Sequence, residues 1–271
     1  MAGWEIGFSD LSVGYGENVV LRELCATLPA GKISVVLGGS GCGKSTLLRH
    51  IIGLARPMCG KITIAGQDLF AQSAEAFRRL RRQMGVLFQD GALLGAMTLL
   101  ENVALPLTEH LLLPRKTLYA EALRVLSMVG LSDQANLYPN QLSGGMRKRA
   151  GLARAIITNP RILLCDEPTS GLDPITAARM DALLLSLHAR FPEMTMVIVS
   201  HDLASLLRIA ENVLVLKEGR SCFSGSLAEL QASEDPYLRR FLAREGGEST
   251  ACFDKGMQPE VLEALSAWWK R

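Results

Sequence analysis

Residues 38–45 read Gly38-Gly39-Ser40-Gly41-Cys42-Gly43-Lys44-Ser45, which fits the spacing G-x-x-x-x-G-K-[ST]. Glycines let a backbone bend until successive N–H groups point at one phosphate group. A helix that follows adds the positive end of its dipole. The Lys44 amine can reach the β- and γ-phosphates of a nucleoside triphosphate, and the Ser45 hydroxyl can hold Mg²⁺. Such a loop works only between a strand and a helix. The apolar run Ile33-Ser34-Val35-Val36-Leu37 reads as a buried strand, and Ser45 to Ile52 reads as a helix ending near Gly53. A glycine-rich turn with a chance Lys-Ser pair is the competing reading; the flanks argue against it.

Two further stretches bear chemistry. The apolar run Ile162-Leu163-Leu164-Cys165 ends in Asp166-Glu167. A strand that delivers an acid to a sheet edge beside a phosphate loop places Asp166 to hold Mg²⁺ through water. Glu167 is then placed to polarise the attacking water as a general base. Alone, the same residues would be a solvated acidic turn. Upstream, Leu142-Ser143-Gly144-Gly145-Met146 opens a helix. A hydroxyl, a permissive backbone and a helix N-terminus make a second anion site. One nucleotide does not need two such sites in one chain, so the second fits the γ-phosphate of a nucleotide bound by another copy. The competing reading is a Ser N-cap and a flexible start, although paired glycines weaken a helix.

The elements that must carry these residues can be read in order. Trp4 to Leu11 alternates loosely as a strand, Val13-Gly14-Tyr15-Gly16 is a turn, and Val19 to Leu28 is a second strand. With Lys61-Ile62-Thr63-Ile64, these strands lack intervening helices and form an antiparallel layer. Glu75 to Arg82 is a short basic helix, and Met84 to Phe88 is a strand ending at Gln89. Between about residues 90 and 160 the character is helical: Leu99 to Leu105, Thr117 to Val129, and Ser143 to about Thr158. Beyond it, strands at 162–165, 196–199 and 213–216 alternate with helices at 175–190 and 203–210. That alternation implies a parallel sheet and an α/β fold.

The order phosphate loop, Gln89, Leu142 to Met146, Asp166-Glu167, Ser170-Gly171-Leu172-Asp173 and His201 resembles the ATPase subunit of an ATP-binding cassette (ABC) transporter, over roughly residues 4 to 240. The resemblance implies the ABC-ATPase form of the P-loop NTPase fold: a mostly parallel core sheet, an N-terminal antiparallel β layer and an inserted α-helical subdomain. It implies ATP and Mg²⁺ as ligands. The nucleotide would be held by Tyr15, by Gly38, Gly39, Ser40, Gly41, Cys42, Gly43, Lys44, Ser45 and Thr46, and by Ser143, Gly144, Gly145 and Asp173. Tyr15 would stack on adenine, and Asp173 would lie in a loop crossing to a second subunit. Ser45, Gln89 and Asp166 would serve the metal. Glu167, His201 and Gln89 would serve catalysis, with His201 holding the γ-phosphate and orienting the base, and Gln89 sensing the helical insertion.

Two departures narrow the resemblance. Gly39 stands where the family usually has Pro, which loosens the loop but leaves its N–H donors. Met146 stands where the second anion site usually has Gln, as is common in ATPases of the Mla type, which energise lipid trafficking. Leu87 to Leu94 and Glu101 to Leu107 also look like that subgroup. The implied partners are a second copy, a multi-spanning permease, an Mce-domain protein and a small STAS-domain protein, with no nucleic acid. The implied location is the cytoplasmic face of an inner membrane. The core motifs do not encode a substrate, so import or export of another solute stays open. A DNA-repair or translation ATPase of the same superfamily is the rival of another class.

Bulk properties agree. Formal net charge is +2 over 271 residues, so nothing calls for a nucleic-acid partner. Six scattered cysteines without a C-x-x-C pair fit a reducing compartment. The N-terminus lacks a signal peptide pattern, and the most apolar region, Val86 to Leu113, is too polar to span a membrane. Cys42 is a small filler in the loop or a redox switch. The cluster Arg78, Arg79, Arg81 and Arg82 is a solvated face, a site for an acidic partner loop or a lipid-headgroup contact. Residues 1–245 are expected to form the ATPase domain and 246–271 a linker and an amphipathic helix. On that helix Val261, Leu262, Leu265, Trp268 and Trp269 share one face, to pack on its own domain, on a second subunit or on another partner.

Overall fold

The computed structural model describes residues 3–39 and 41–243; Ser40 and the expected linker and C-terminal helix lie outside the described residues. The chain divides into two compact units, Met1–Leu230 and Gln231–Arg271.

The first unit begins with strands β1 (Ile6–Tyr15) and β2 (Asn18–Leu28), then β3 (Ile33–Gly38) and helix α1 (Lys44–Ile51). β4 (Cys59–Ile64) and β5 (Gln67–Asp68) complete an antiparallel four-stranded sheet in the order β2-β1-β4-β5. Helix α2 (Ala74–Arg81) and strand β6 (Met84–Leu87) follow. Three helices, α3 (Leu99–Thr108), α4 (Arg115–Met128) and α5 (Gly144–Ile156), then separate β6 from β7 (Ile162–Asp166). The alternation resumes with α6 (Pro174–Arg190), β8 (Thr195–Val199), α7 (Leu203–Ile209), β9 (Asn212–Lys217), β10 (Arg220–Ser226) and α8 (Leu227–Ala232). The second sheet has the order β10-β9-β3-β8-β7-β6. All its neighbours are parallel except the edge pair β10 and β9. In the second unit the described helix is α9 (Pro236–Ala243), where Tyr237 stacks on Phe241.

The core explains why α1 is held rigidly. Leu47, Leu48 and Ile51 of α1 are buried with Ile6, Leu11, Leu21 and Leu28 of the antiparallel sheet and with Val36, Leu164, Val197 and Leu214 of the parallel one. β3, β7 and β8 are buried along nearly their whole length, as strands covered on both faces must be.

Two expectations need correction. The turn expected at Val13 to Gly16 begins later, because β1 continues to Tyr15. Gly14 serves strand approach instead: a Cβ there would lie 2.0 Å from the Asn18 carbonyl oxygen. The helix expected to stop at Leu105 runs through Pro106 to Thr108. Proline removes one backbone bond, but Glu109 N–H still donates to Leu105 O. A capping box of Thr98 and Glu101 fixes the other end. Buried Asn102 pins the loop before α3, accepting from Leu94 N–H and donating to Leu94, Met97 and Thr98 carbonyls.

Candidate functional site

Parallel strands put their carboxyl ends on one edge, and the motif residues follow those ends. β3 ends at Gly38, β8 leads to His201, β7 ends at Asp166 and β6 leads to Gln89. β8 lies between β3 and β7. Its end is tied to both, since Glu167 N–H donates to Val199 O at 2.9 Å and Ser200 N–H to Val36 O at 3.1 Å.

The loop after β3 needs three of its glycines for internal reasons, Gly41 through its φ of +76. Gly43 has φ +102, and a Cβ there would lie 2.7 Å from Leu21 Cγ; at Gly38 it would lie 2.4 Å from Leu216 O. At Gly39 and Gly41 a side chain would meet nothing within 4 Å, so this side of the loop is open. Lys44 is buried, and its ammonium donates to Gly38 O at 2.8 Å and Gly39 O at 2.9 Å. Cys42 is buried beneath Gly38, with Sγ 3.8 Å from Lys44 Nζ.

Ser45 Oγ donates to Asp166 Oδ1 at 3.2 Å. Burial pushes the Asp166 carboxyl above its ordinary range; the Ser45 hydrogen bond opposes that, while the Glu167 charge adds to it. Just before it, Cys165 is fully buried, which raises its thiol to about 12. Glu167 adopts φ +51, a conformation rare outside glycine. His201 Nδ1 lies 2.6 Å from Glu167 Oε2, a close contact that is not an aligned hydrogen bond, since that oxygen is buried without a hydrogen-bond donor.

Tyr15 and Thr46 meet beside the same loop. The Thr46 hydroxyl lowers the Tyr15 phenol below its ordinary range, Arg49 assisting. Arg49 Nη1 donates to Tyr15 Oη at 3.0 Å.

Ser143 caps α5, its Oγ accepting from Met146 N–H at 3.3 Å. Gly145 is packed, since a Cβ would lie 2.9 Å from Thr176 Cγ2 of α6. Gly144 is exposed, and its nearest neighbour would be 3.9 Å away. Asp173 caps α6 by accepting from Ile175 and Thr176 N–H, each at 3.0 Å. The Thr176 hydroxyl foremost, then these backbone bonds, hold its carboxyl below the usual range.

Of the basic cluster on α2, Arg79 pairs with Glu75 at 3.0 Å and Arg81 lies over the Phe77 ring. Arg78 and Arg82 line a groove of about 810 Å³ with Phe88, Leu107 and Arg154. The sequence reading passed over Lys148, whose buried ammonium bonds two backbone carbonyls. In sequence it is one of three adjacent basic residues, 147–149, and nothing in the pattern singles it out.

A phosphate loop, an acid at the end of the strand two places along the sheet and a helical insertion between β6 and β7 define an ATPase of the P-loop class. Residues 21–170 match the family model described as ABC transporter, and the chain belongs to that family. It is 40% identical over 237 residues to the "Intermembrane phospholipid transport system ATP-binding protein MlaF" of Escherichia coli (strain K12), covering 88% of each chain. It is equally 40% identical over 240 residues to the "Probable ribonucleotide transport ATP-binding protein mkl" of Mycobacterium tuberculosis (strain ATCC 25618 / H37Rv), covering 89% of this chain and 67% of that one. Among solved structures it matches the dimeric post-hydrolysis state of the ATP-binding cassette MJ0796 bound to ADP and Pi. There the TM-score is 0.74 and the identity 31%, over 82% of this chain and 98% of the other.

The protein is the ATP-binding, ATP-hydrolysing subunit of an ABC transporter. Such cassettes form dimers and work with membrane permeases. Among the described residues no helix is long and apolar enough to cross a membrane.

Proposed function

We propose that this ATPase powers phospholipid trafficking of the Mla type through a separate permease, from the cytoplasmic face of an inner membrane. The observation that carries the proposal is the 40% identity to MlaF across 88% of both chains, supported by Lys44, Gln89, Asp166, Glu167 and His201 following the carboxyl ends of the parallel strands. The permease would dock at the segment after Gln89, beside the groove on α2 and α3. An Mce-domain protein and a small STAS-domain protein are the further partners of this reading.

In the proposed cycle Lys44 and the N–H groups of residues 38–46 bind the ATP phosphates. The donors at the metal site are a hydroxyl and a carboxylate, Ser45 Oγ and Asp166, a hard oxygen set that fits Mg²⁺ held by one acid and substrate phosphates. Gln89, at the end of the strand beside β7, would join them. Bound there, Mg²⁺ supplies charge neutralisation on the phosphate oxygens. Glu167 takes the proton of the attacking water, and His201 fixes its carboxylate and holds the γ-phosphate. Ser143 and Gly144 of a second copy close on that phosphate. Asp173 lies at the crossing loop, and Tyr15 stacks on the base.

Capture from membranes tests the reading. Co-purification of a multi-spanning permease with an Mce-domain protein, and ATPase activity that rises when that complex is placed in phospholipid vesicles, is the expected result. Recovery with ribosomes or DNA ends overturns it. The similarity to a protein named for ribonucleotide transport supports a second reading, transport of another solute. Stimulation by ribonucleotides and not by phospholipid would favour that one.

A further inference from the structure

Lys148 sits in the second turn of α5 and is 4% exposed. Its Nζ donates to Glu167 O at 2.8 Å and to Ser170 O at 2.5 Å. Glu167 O also accepts from Ser170 N–H at 3.2 Å, so residues 167–170 form one turn with Lys148 as its external clasp. Among the described residues no carboxylate lies within ion-pair distance of the ammonium. A cation buried on backbone carbonyls alone is an expensive way to fill space; an apolar side chain of the same length would do so with less desolvation.

The turn it clasps is itself unusual. Glu167 adopts φ +51 immediately before Pro168, where proline already restricts the preceding residue. Such a conformation persists only when its surroundings over-determine it. The N–H of Glu167 is held by Val199 O and its carbonyl by Lys148. Between those two anchors the direction of its side chain is set. The field of Asp90, Glu167 and Asp166 favours the charged ammonium, although burial is the stronger influence and lowers its pKa.

We propose that Lys148 is a positioning residue for hydrolysis: it pins the 167–170 turn to α5, aims the Glu167 carboxylate toward His201, and carries displacements of the Ser143 end of α5 into that carboxylate. The proposal rests on the reading of Glu167 as the base. It makes the helix that would meet a second copy's nucleotide a lever on this copy's own base.

The test uses the full-length chain and steady-state ATP hydrolysis. Lys148→Met keeps the stem and removes the donors. It is expected to lower kcat by about tenfold or more while KM for ATP stays within about twofold. Lys148→Arg, which can still donate to both carbonyls, should recover much of that loss. In a Glu167→Gln background Lys148→Met should change the residual rate by less than about twofold, because both changes act on one group.

Equal fractional losses in the two backgrounds, an unchanged kcat, or a KM that rises as kcat falls would overturn the proposal. Should Lys148→Met not fold, Lys148→Leu, which also lacks a donor, is read by the same comparisons. If Glu167→Gln itself keeps wild-type turnover, the base assignment and this proposal fall together. If Glu167→Gln is inactive and Lys148→Met is not impaired, only this proposal falls.

Discussion

The phosphate loop and the start of α5 both set glycines at a helix N-terminus, but the chain accounts for them unequally. Gly38 and Gly43 have positive φ and touch their own surroundings, so the fold alone demands them. Gly145 is demanded by Thr176 of α6. Gly144 is demanded by nothing within the chain: it is exposed, lacks a positive φ and costs helix stability at a first-turn position. In the first region Gly38, Gly41 and Gly43 are demanded by the chain, and Gly39, exposed on the open side of the loop, is not. The second also keeps a glycine that its own packing does not use, as a surface does when something else must approach it closely.

The sharpest break in that comparison would come at Glu167. Glu167→Gln should lower ATP turnover by about 10²-fold or more while equilibrium ATP binding is retained, and ATP should then hold the dimer closed. Near-normal hydrolysis by the variant would remove Glu167 from the mechanism. Next, Lys44→Ala should lose ATP affinity in the isolated monomer, whereas Ser143→Arg should keep it and lose hydrolysis only in the assembled dimer. Equal loss of monomer binding in both variants would mean that the two regions serve one nucleotide in one chain.

Smaller effects separate the paired glycines. Gly145→Ala should cost about 1–3 kcal/mol in chemical denaturation, since its methyl meets Thr176. Gly144→Ala should stabilise the monomer by about 0.4–1 kcal/mol and still depress turnover. Destabilisation by both would show that Gly144 has a structural duty too.

The smallest effect is a pH dependence away from either site. The Thr98 backbone N–H, then its hydroxyl, holds the Glu101 carboxyl below its ordinary range. A lowered carboxylate pKa stabilises the fold above the unfolded value and loses that contribution as pH falls through the folded one. Glu101→Gln should therefore lower Tm slightly at neutral pH, and the difference from wild type should shrink on acidification below about pH 4.

The strand, loop and helix around Lys44 are legible in sequence because each has a local cause: an apolar run, convergent glycines and an uninterrupted helical stretch. The strand carrying Asp166 is legible for the same reason. Gly14 and Pro106 misdirect, because the close strand contact at Gly14 and the onward helix after Pro106 are set by tertiary neighbours. β10 escapes notice because Arg220 to Ser226 lacks an apolar alternation and is held by backbone pairing to β9. Lys148 is illegible because its role lies in two carbonyls that are distant in sequence.

Cys165 bears on how this protein can be probed. Cys165 is fully buried and its thiol is raised to about 12, so it stays protonated and shielded at neutral pH, and thiolate is the form that alkylating reagents attack. Among the described residues Cys25 and Cys59 of the antiparallel sheet and Cys222 of β10 are exposed, all away from the acidic strand β7. A maleimide dye added to the native protein should therefore decorate these exposed positions and leave Cys165 unmodified. Fluorescent reporters could then be placed without first removing the cysteine that abuts Asp166.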